Sequence, residues 1–405
     1  MIPFSLRSER ESYIVRPVLQ KFCKEHGLKT TENRDNLLNN VLEYATQSDD
    51  NKSYVANWVD NILKQGIKHI YLRKIYSKTN ELIMLQNENL CQKILQEAFA
   101  DCPMKPIIFS ETTENLIMKN YKCKIEDGIV VSISFTFSQL LLENKNFDGT
   151  ADRIIYPIFV DIDLVNDYVI GKAKSKSNIY YCNPANTIVE TSRVTTEELI
   201  LKAIDFVVEK TSLVLEDKER SNSGFKNSLY NILKAFTFTP QEIQHKIDEF
   251  NEDLDEFIQI TFSRLNIDLQ TNLEKAKNDL NIFLEKYISI NYPDPEIFTR
   301  DREAYPIKLM ATDSEFTRIE EVSIRKEPLQ CKEKFFDNKK STELERTCDR
   351  IALCYNRINP TYFGNIPYIV KLEVKKGYCA VKFESYVEEE DINNVLSRVI
   401  IGREL

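Results

Sequence analysis

Glycine is scarce in this chain: there are nine in 405 residues, and no two are close enough to spell G-x-G. Dinucleotide-binding turns and P-loops need glycine so that the backbone can approach phosphate, so both are absent in standard form. G-x-S-x-G and H-E-x-x-H are also missing, which removes the hydrolase elbow and the zincin helix. No apolar run approaches the ~18 residues of a bilayer span. The richest, Ile154 to Val160, is short and contains Pro157. Arg7, Glu9, Arg10 and Glu11 interrupt any apolar signal segment, so the expectation is a cytoplasmic protein. No C-x-x-C occurs among the nine cysteines. An odd number spread over a large chain reads as reduced, buried thiols, not a disulfide scaffold. Cys23 and His26 make a C-x2-H pair with no second pair nearby, and the other histidines, His69 and His245, are scattered.

What is present supports real cores: 42% of residues are hydrophobic and 29% charged. The length suggests two or three domains at about 100–200 residues each. The net charge is −9, so nucleic-acid binding would need a local basic patch. Abundant Lys, Asn and Ile fits an AT-rich bacterial genome.

The pattern predicts an α+β fold in four segments. Residues 1–105 read as a mainly helical domain. One helix runs from Glu9 to His26 and is closed by Gly27, and a second runs from Asp35 to Thr46. A third carries Val55, Trp58, Val59, Ile62 and Leu63 on one face and stops at Gly66. Ile67–Tyr76 fits a strand or a helix extension, and Leu90–Ala100 a helix. Residues 106–194 are β-rich. Val131, Ile133, Phe135 and Phe137 alternate with polar residues. A three-residue loop, Glu126-Asp127-Gly128, is expected to join that strand to Tyr121–Ile125. A two-residue turn at Asn166-Asp167 pairs Leu164 with Val169 and Val160 with Ala173, placing Asp161 opposite Lys172.

Residues 195–292 are helical. Thr196 is the expected cap of the first helix, before Glu197 and Glu198. Thr239-Pro240 opens a longer one. Ile243, Ile247, Phe250, Leu254 and Phe257 keep heptad spacing, as do Leu269, Leu273, Ala276, Leu280, Phe283, Tyr287 and Ile290. A break near Asn266 makes the pair a long antiparallel, coiled-coil-like hairpin, with an acidic first arm. Residues 293–405 form a C-terminal α/β unit, with a strand at Pro306–Ala311. It ends in a β-hairpin around Lys376-Gly377 and a helix bearing Ile392, Val395, Leu396 and Val399.

Several residue sets could carry chemistry. Lys64, Lys68, His69, Tyr71, Arg73, Lys74 and Lys78 form a basic, aromatic stretch without an acid. Clustered cations engage phosphates and exposed tyrosines stack on bases, although lysines also blunt sheet edges. Lys332, Lys334, Lys339 and Lys340 flank Phe335 and Phe336 in a similar way. Asp161-x-Asp163 places two carboxylates on one strand face, where a divalent metal or a cross-strand lysine could use them. Asp313 and Glu315, with Glu320 and Glu321 nearby, make an acidic cluster. Glu373-Val374-Lys375 resembles the E-x-K of the PD-(D/E)xK nucleases. That resemblance implies Mg²⁺ on the carboxylate, a lysine that orients water, and an aspartate from Asp313 or Asp349.

The leading expectation is therefore a nucleic-acid-binding protein or subunit that works by self-association or with a protein partner, through the hairpin at 240–290. The alternatives are a metal-dependent nuclease using Asp313, Glu315, Glu373 and Lys375, with Mg²⁺ as its only cofactor, and a structural interaction module that touches no nucleic acid.

Overall fold

The computed structural model describes residues 13–77, 79–107, 112–144, 151–183, 188–312, 318–357 and 364–403. In chain order, three helices come first: α1 (Arg16–Glu25), α2 (Arg34–Thr46) and α3 (Asp49–Leu63). Strand β1 (Lys68–Lys74) follows, then α4 (Asn80–Gln86) and α5 (Glu88–Ala98). Next come β2 (Ile117–Glu126), β3 (Ile129–Asn144), β4 (Ala151–Asp163), β5 (Tyr168–Lys174), β6 (Ile179–Tyr181) and β7 (Arg193–Val194). Helices α6 (Thr196–Lys210), α7 (Lys218–Phe236), α8 (Gln241–Asp248), α9 (Asn251–Leu265) and α10 (Leu269–Ile290) precede β8 (Ala304–Thr312) and β9 (Arg318–Val322). The chain closes with α11 (Glu333–Glu345), β10 (Arg350–Tyr355), β11 (Tyr368–Lys375), β12 (Tyr378–Phe383) and α12 (Glu389–Gly402). The fold is mixed α+β.

Local chemistry sets many of these boundaries. Asn33, Ser48, Thr79, Asn87 and Asp268 each accept a hydrogen bond from a backbone N–H in the first turn of the following helix. Gly27, at φ +68°, closes α1, as its position suggested. Helix α6 starts one residue earlier than expected. Thr195 is its cap and exchanges hydrogen bonds with Glu198 in a capping box.

Contacts group the chain into two units, each assembled from separated segments. The first holds residues 1–222, 359–364 and 375–394. Its strands are antiparallel in the order β7-β6-β3-β4-β5-β1-β12, with β2 also on β3. One face buries Tyr71, Tyr156, Ile158, Val160 and Ala173 beneath Leu199, Ile200, Ala203 and Ile204 of α6. The helices α1–α3 have their own core, including Leu19, Phe22, Leu37, Val41 and Ile62, which Phe159 of β4 joins. The second unit holds residues 223–358, 365–374 and 395–405, with strands in the order β11-β10-β8-β9. In it the Ser228 hydroxyl donates to the Val399 carbonyl at 2.6 Å, and the Asn231 amide to that of Gly402 at 2.8 Å.

Neither middle hairpin keeps the expected register, and in the first the core face also changes near the turn, where Val130 is buried in place of Val131 and Ile129. Glu126 pairs with Ile129 across a two-residue turn, Asp127-Gly128, and both turn residues have positive φ. A bulge between Lys124 and Ile125 then sets Cys123 opposite Ile133. In the second hairpin Asp163 pairs with Tyr168, so the loop has four residues instead of two. The Asp163 carboxylate accepts the N–H groups of Val165 and Asn166 and stabilises that longer loop. The pairing is offset by two: Val160 lies opposite Gly171 and Asp161 opposite Ile170. An even offset leaves every side chain on its own face.

Candidate functional site

Strand β1 is an interior strand, with β5 on one side and β12 on the other. Its residues alternate between two faces, on which Lys68, Ile70, Tyr71 and Leu72 are buried and His69, Arg73 and Lys74 half-buried. Lys68 is 1% exposed, and its ammonium donates to the Leu63 carbonyl at 2.6 Å. Burial, then Lys174 and Lys172 nearby, lower its pKa well below the ordinary lysine value. Burial also lowers that of Lys64. Arg73 pairs with Asp205 at 2.5 Å and Lys74 with Asp167 at 3.8 Å. Lys78 lies outside the described residues. Along β1 a polyanion would meet a covered lysine and cations already held by carboxylates, in place of the outward-facing strip the sequence suggests.

The other face of β1 gathers a different set. Tyr71 is buried, its ring 5.5 Å from that of Tyr378 in an edge contact. Glu197, in the first turn of α6, accepts the Tyr378 hydroxyl and, at 2.5 Å, the Lys375 ammonium. Burial, then the Glu197 carboxylate, raise the Tyr71 phenol far above its usual value. His69 is lowered to about 4, by burial first and by Lys382 second. The fold thus unites His69, Tyr71 and Lys375, which the sequence had assigned to two different chemistries. Glu197 and Tyr378 complete the group, and no motif marked them. The carboxylate is held below its ordinary value by Lys375 and Tyr378, against the opposing effect of burial. Each carboxylate oxygen accepts one of these donors, so the cluster ties α6 to the sheet.

The remaining candidates are likewise committed. Glu373 faces its cross-strand partner Arg350 and forms an ion pair with it, and Asp349 pairs with Lys226 at 2.7 Å. Asp313 and Glu315 lie outside the described residues. Asp161 bonds Lys172 at 2.7 Å, diagonally across the shifted register, while Asp163 holds its turn. Lys332 pairs with Glu327 and Lys339 with Glu285, and Phe335 and Phe336 are buried. The Cys23 thiol donates to the Leu37 carbonyl, and the His26 ring lies 4.4 Å from Phe22 and 4.6 Å from Tyr44. Among the described residues no three His, Cys, Asp or Glu side chains are grouped to hold a metal.

The helical arm offers a surface instead. Ile243 and Ile247 of α8 are buried against Leu284 and Ile288 of α10. Leu284 and Ile288 are each one residue beyond the heptad positions Phe283 and Tyr287, so the stripe of α10 is turned away from its neighbour. On α9 the fully buried apolar residue is Ile258, one beyond Phe257. Asp255 meets Lys277 at 2.9 Å, and the turn between the helices uses Asn266 at φ +54°. In an antiparallel pair, two stripes rotated in the same sense about their own axes emerge on one side. That rotation puts Phe257, Phe283 and Tyr287 on one side, with Phe250 at the junction before α9. Phe250, Phe257, Phe283 and Tyr287 are 45, 57, 54 and 46% exposed, and the rings of Phe283 and Tyr287 are 4.8 Å apart. Glu249, Asp253 and Glu256 follow at helical spacing beside this row. All three are exposed, and none has an ion-pair partner among the described residues. No protein-family model matches the sequence, and comparison with curated proteins finds no relative.

Proposed function

We propose that this protein is an assembly subunit whose helical arm docks a partner protein through a basic amphipathic helix. The observation that carries this reading is the row of half-exposed aromatic rings at Phe250, Phe257, Phe283 and Tyr287. Each large apolar side chain taken fully out of water is worth about 1.5–3 kcal/mol, and aromatic anchors dominate protein interfaces. The carboxylates beside the row favour a partner helix edged with Lys or Arg. A second copy of this chain is a poorer match. Residues 241–265 hold seven acids against Lys246 and Arg264, so two arms brought face to face would repel.

The test is titration of the full chain into a fluorescent, helical Leu/Lys amphipathic peptide. Saturable binding that weakens as salt rises is expected. Phe257→Ser and Tyr287→Ser should each weaken it about tenfold, and Asp253→Lys with Glu256→Lys should remove most of the salt dependence. Absence of saturable binding, or variants that bind like the parent, would overturn the reading. Light scattering on the chain alone distinguishes self-association. Running duplex and single-stranded DNA in the same titration examines the competing role of Lys64, Lys68, His69, Tyr71, Arg73, Lys74 and Lys78. A steep salt-dependent affinity that Arg73→Glu with Lys74→Glu abolishes would favour nucleic acid over the arm.

A further inference from the structure

Within the second unit, a cavity of about 210 Å³ opens between α7 and α11. A cavity of about 150 Å³ holds a benzene molecule, so this one accommodates a single ring or a branched aliphatic group with a short polar end. Its walls are Tyr230 and Leu233 of α7, Leu309 of β8 and Phe335 of α11. Tyr230, Leu233 and Lys234 lie at i, i+3 and i+4, so one helix face presents all three. Phe335, Lys339 and Glu343 do the same on α11, at i, i+4 and i+8.

The polar groups of the lining divide into spent and available. The Thr237 hydroxyl donates to the Leu233 carbonyl at 2.8 Å, and that of Thr342 to the Asn338 carbonyl at 3.0 Å. Thr239 and Lys339 both donate to Glu285, at 2.7 and 2.5 Å. The Tyr230 hydroxyl and the charged side chains of Lys234 and Glu343 remain. Neither charged side chain has a hydrogen-bond or ion-pair partner among the described residues, although they have opposite charge and border the same space. Burial, and then the Glu343 carboxylate, raise the Tyr230 phenol above its usual value, against the opposing charge of Arg346. An apolar chamber edged by one cation and one anion that no described residue pairs is complementary to a molecule with the same features reversed.

We propose that the cavity binds a hydrophobic α-amino acid as a free zwitterion, with its carboxylate at Lys234, its ammonium at Glu343 and its side chain against Tyr230, Leu233, Leu309 and Phe335. This inference is independent of the arm's role. It is tested by calorimetric titration of the full chain with L-phenylalanine, L-leucine, phenylacetate and phenethylamine. At least one of the two amino acids should saturate, and each single-charge analogue should bind at least about tenfold more weakly than phenylalanine. Lys234→Gln should erase the advantage of phenylalanine over phenethylamine, and Glu343→Gln its advantage over phenylacetate. Lys234 is exposed and Glu343 half-buried, and matching thermal unfolding curves would show that the variants are folded. If neither amino acid saturates at millimolar concentration, or if both variants bind phenylalanine like the parent, the proposal fails.

Discussion

Lys68 shows how far the surroundings of a residue outweigh its type. Its ammonium is fully buried, with one backbone carbonyl as hydrogen-bond partner. Removing a charge from water costs several kcal/mol, and a hydrogen bond from a charged group returns about 1.5–3. Lys68→Met should therefore stabilise the protein, by about 1 kcal/mol or more near neutral pH, read as a higher urea midpoint. The folded pKa lies below the unfolded value, so the unfolded chain binds the extra proton. The penalty fades as pH rises toward about 10, and the advantage of the variant should fade with it. A midpoint lowered by the substitution would show that the ammonium's contacts exceed its desolvation cost. His69 makes a second case at the same scale. Its folded pKa of about 4 lies below the usual ~6.5, so its neutral form belongs to the native state. Stability from this group is complete above ~6.5 and is lost as pH falls toward 4, because the unfolded chain takes up the proton first. The imidazole resonances should titrate near pH 4, and His69→Gln should flatten that part of the stability profile relative to the parent. Titration near 6.5 would contradict the buried placement.

At the scale of elements, α6 against β5 is a close contact that depends on a glycine. A Cβ built on Gly171 would lie 2.4 Å from Ile200 Cγ2 and 2.8 Å from Ile204 Cδ1, and both isoleucines are fully buried. Gly171→Ala should cost about 1–3 kcal/mol by overpacking, measured by denaturant unfolding. A neutral result would mean that α6 can lift from the sheet without loss. The hairpins show why element type was easier to read than register. Period-two alternation reports a face, and a face is unchanged by a shift of two residues. The loop length that fixes the shift depended on the Asp163 carboxylate binding the backbone of its own turn. On the arm, heptad spacing named Ile243 and Ile247, which are buried, but also Phe250, Phe257, Phe283 and Tyr287, which are not. The rotation of the apolar stripes, which buries Leu284 and Ile288 and exposes Phe283 and Tyr287, follows from neighbours that spacing cannot name.

At the scale of the whole molecule, the two units interleave along the chain. The first needs β12, more than 150 residues beyond the end of its main segment at 222. Without β12, one side of β1 would present unpaired backbone beside Ile70 and Leu72, and an open apolar edge recruits other chains. A fragment covering residues 1–222 should therefore aggregate or unfold without cooperativity. The same fragment joined by a flexible linker to residues 375–394 should recover a sigmoidal denaturant transition. A monomeric, cooperatively unfolding 1–222 fragment would show that β12 is dispensable.

By itself the sequence determined the α+β class, several helix ends and the alternation of the strands, because these follow from local spacing, capping residues and turn chemistry. It also excluded glycine-dependent nucleotide loops. Tertiary structure alone decided that β1 is an interior strand, that Lys68 and Tyr71 are covered, and that His69, Tyr71 and Lys375 meet at Glu197. Charge and burial at a residue are set by whatever the fold brings beside it. A strand with many lysines reads the same in one dimension whether solvent or another strand lies against it.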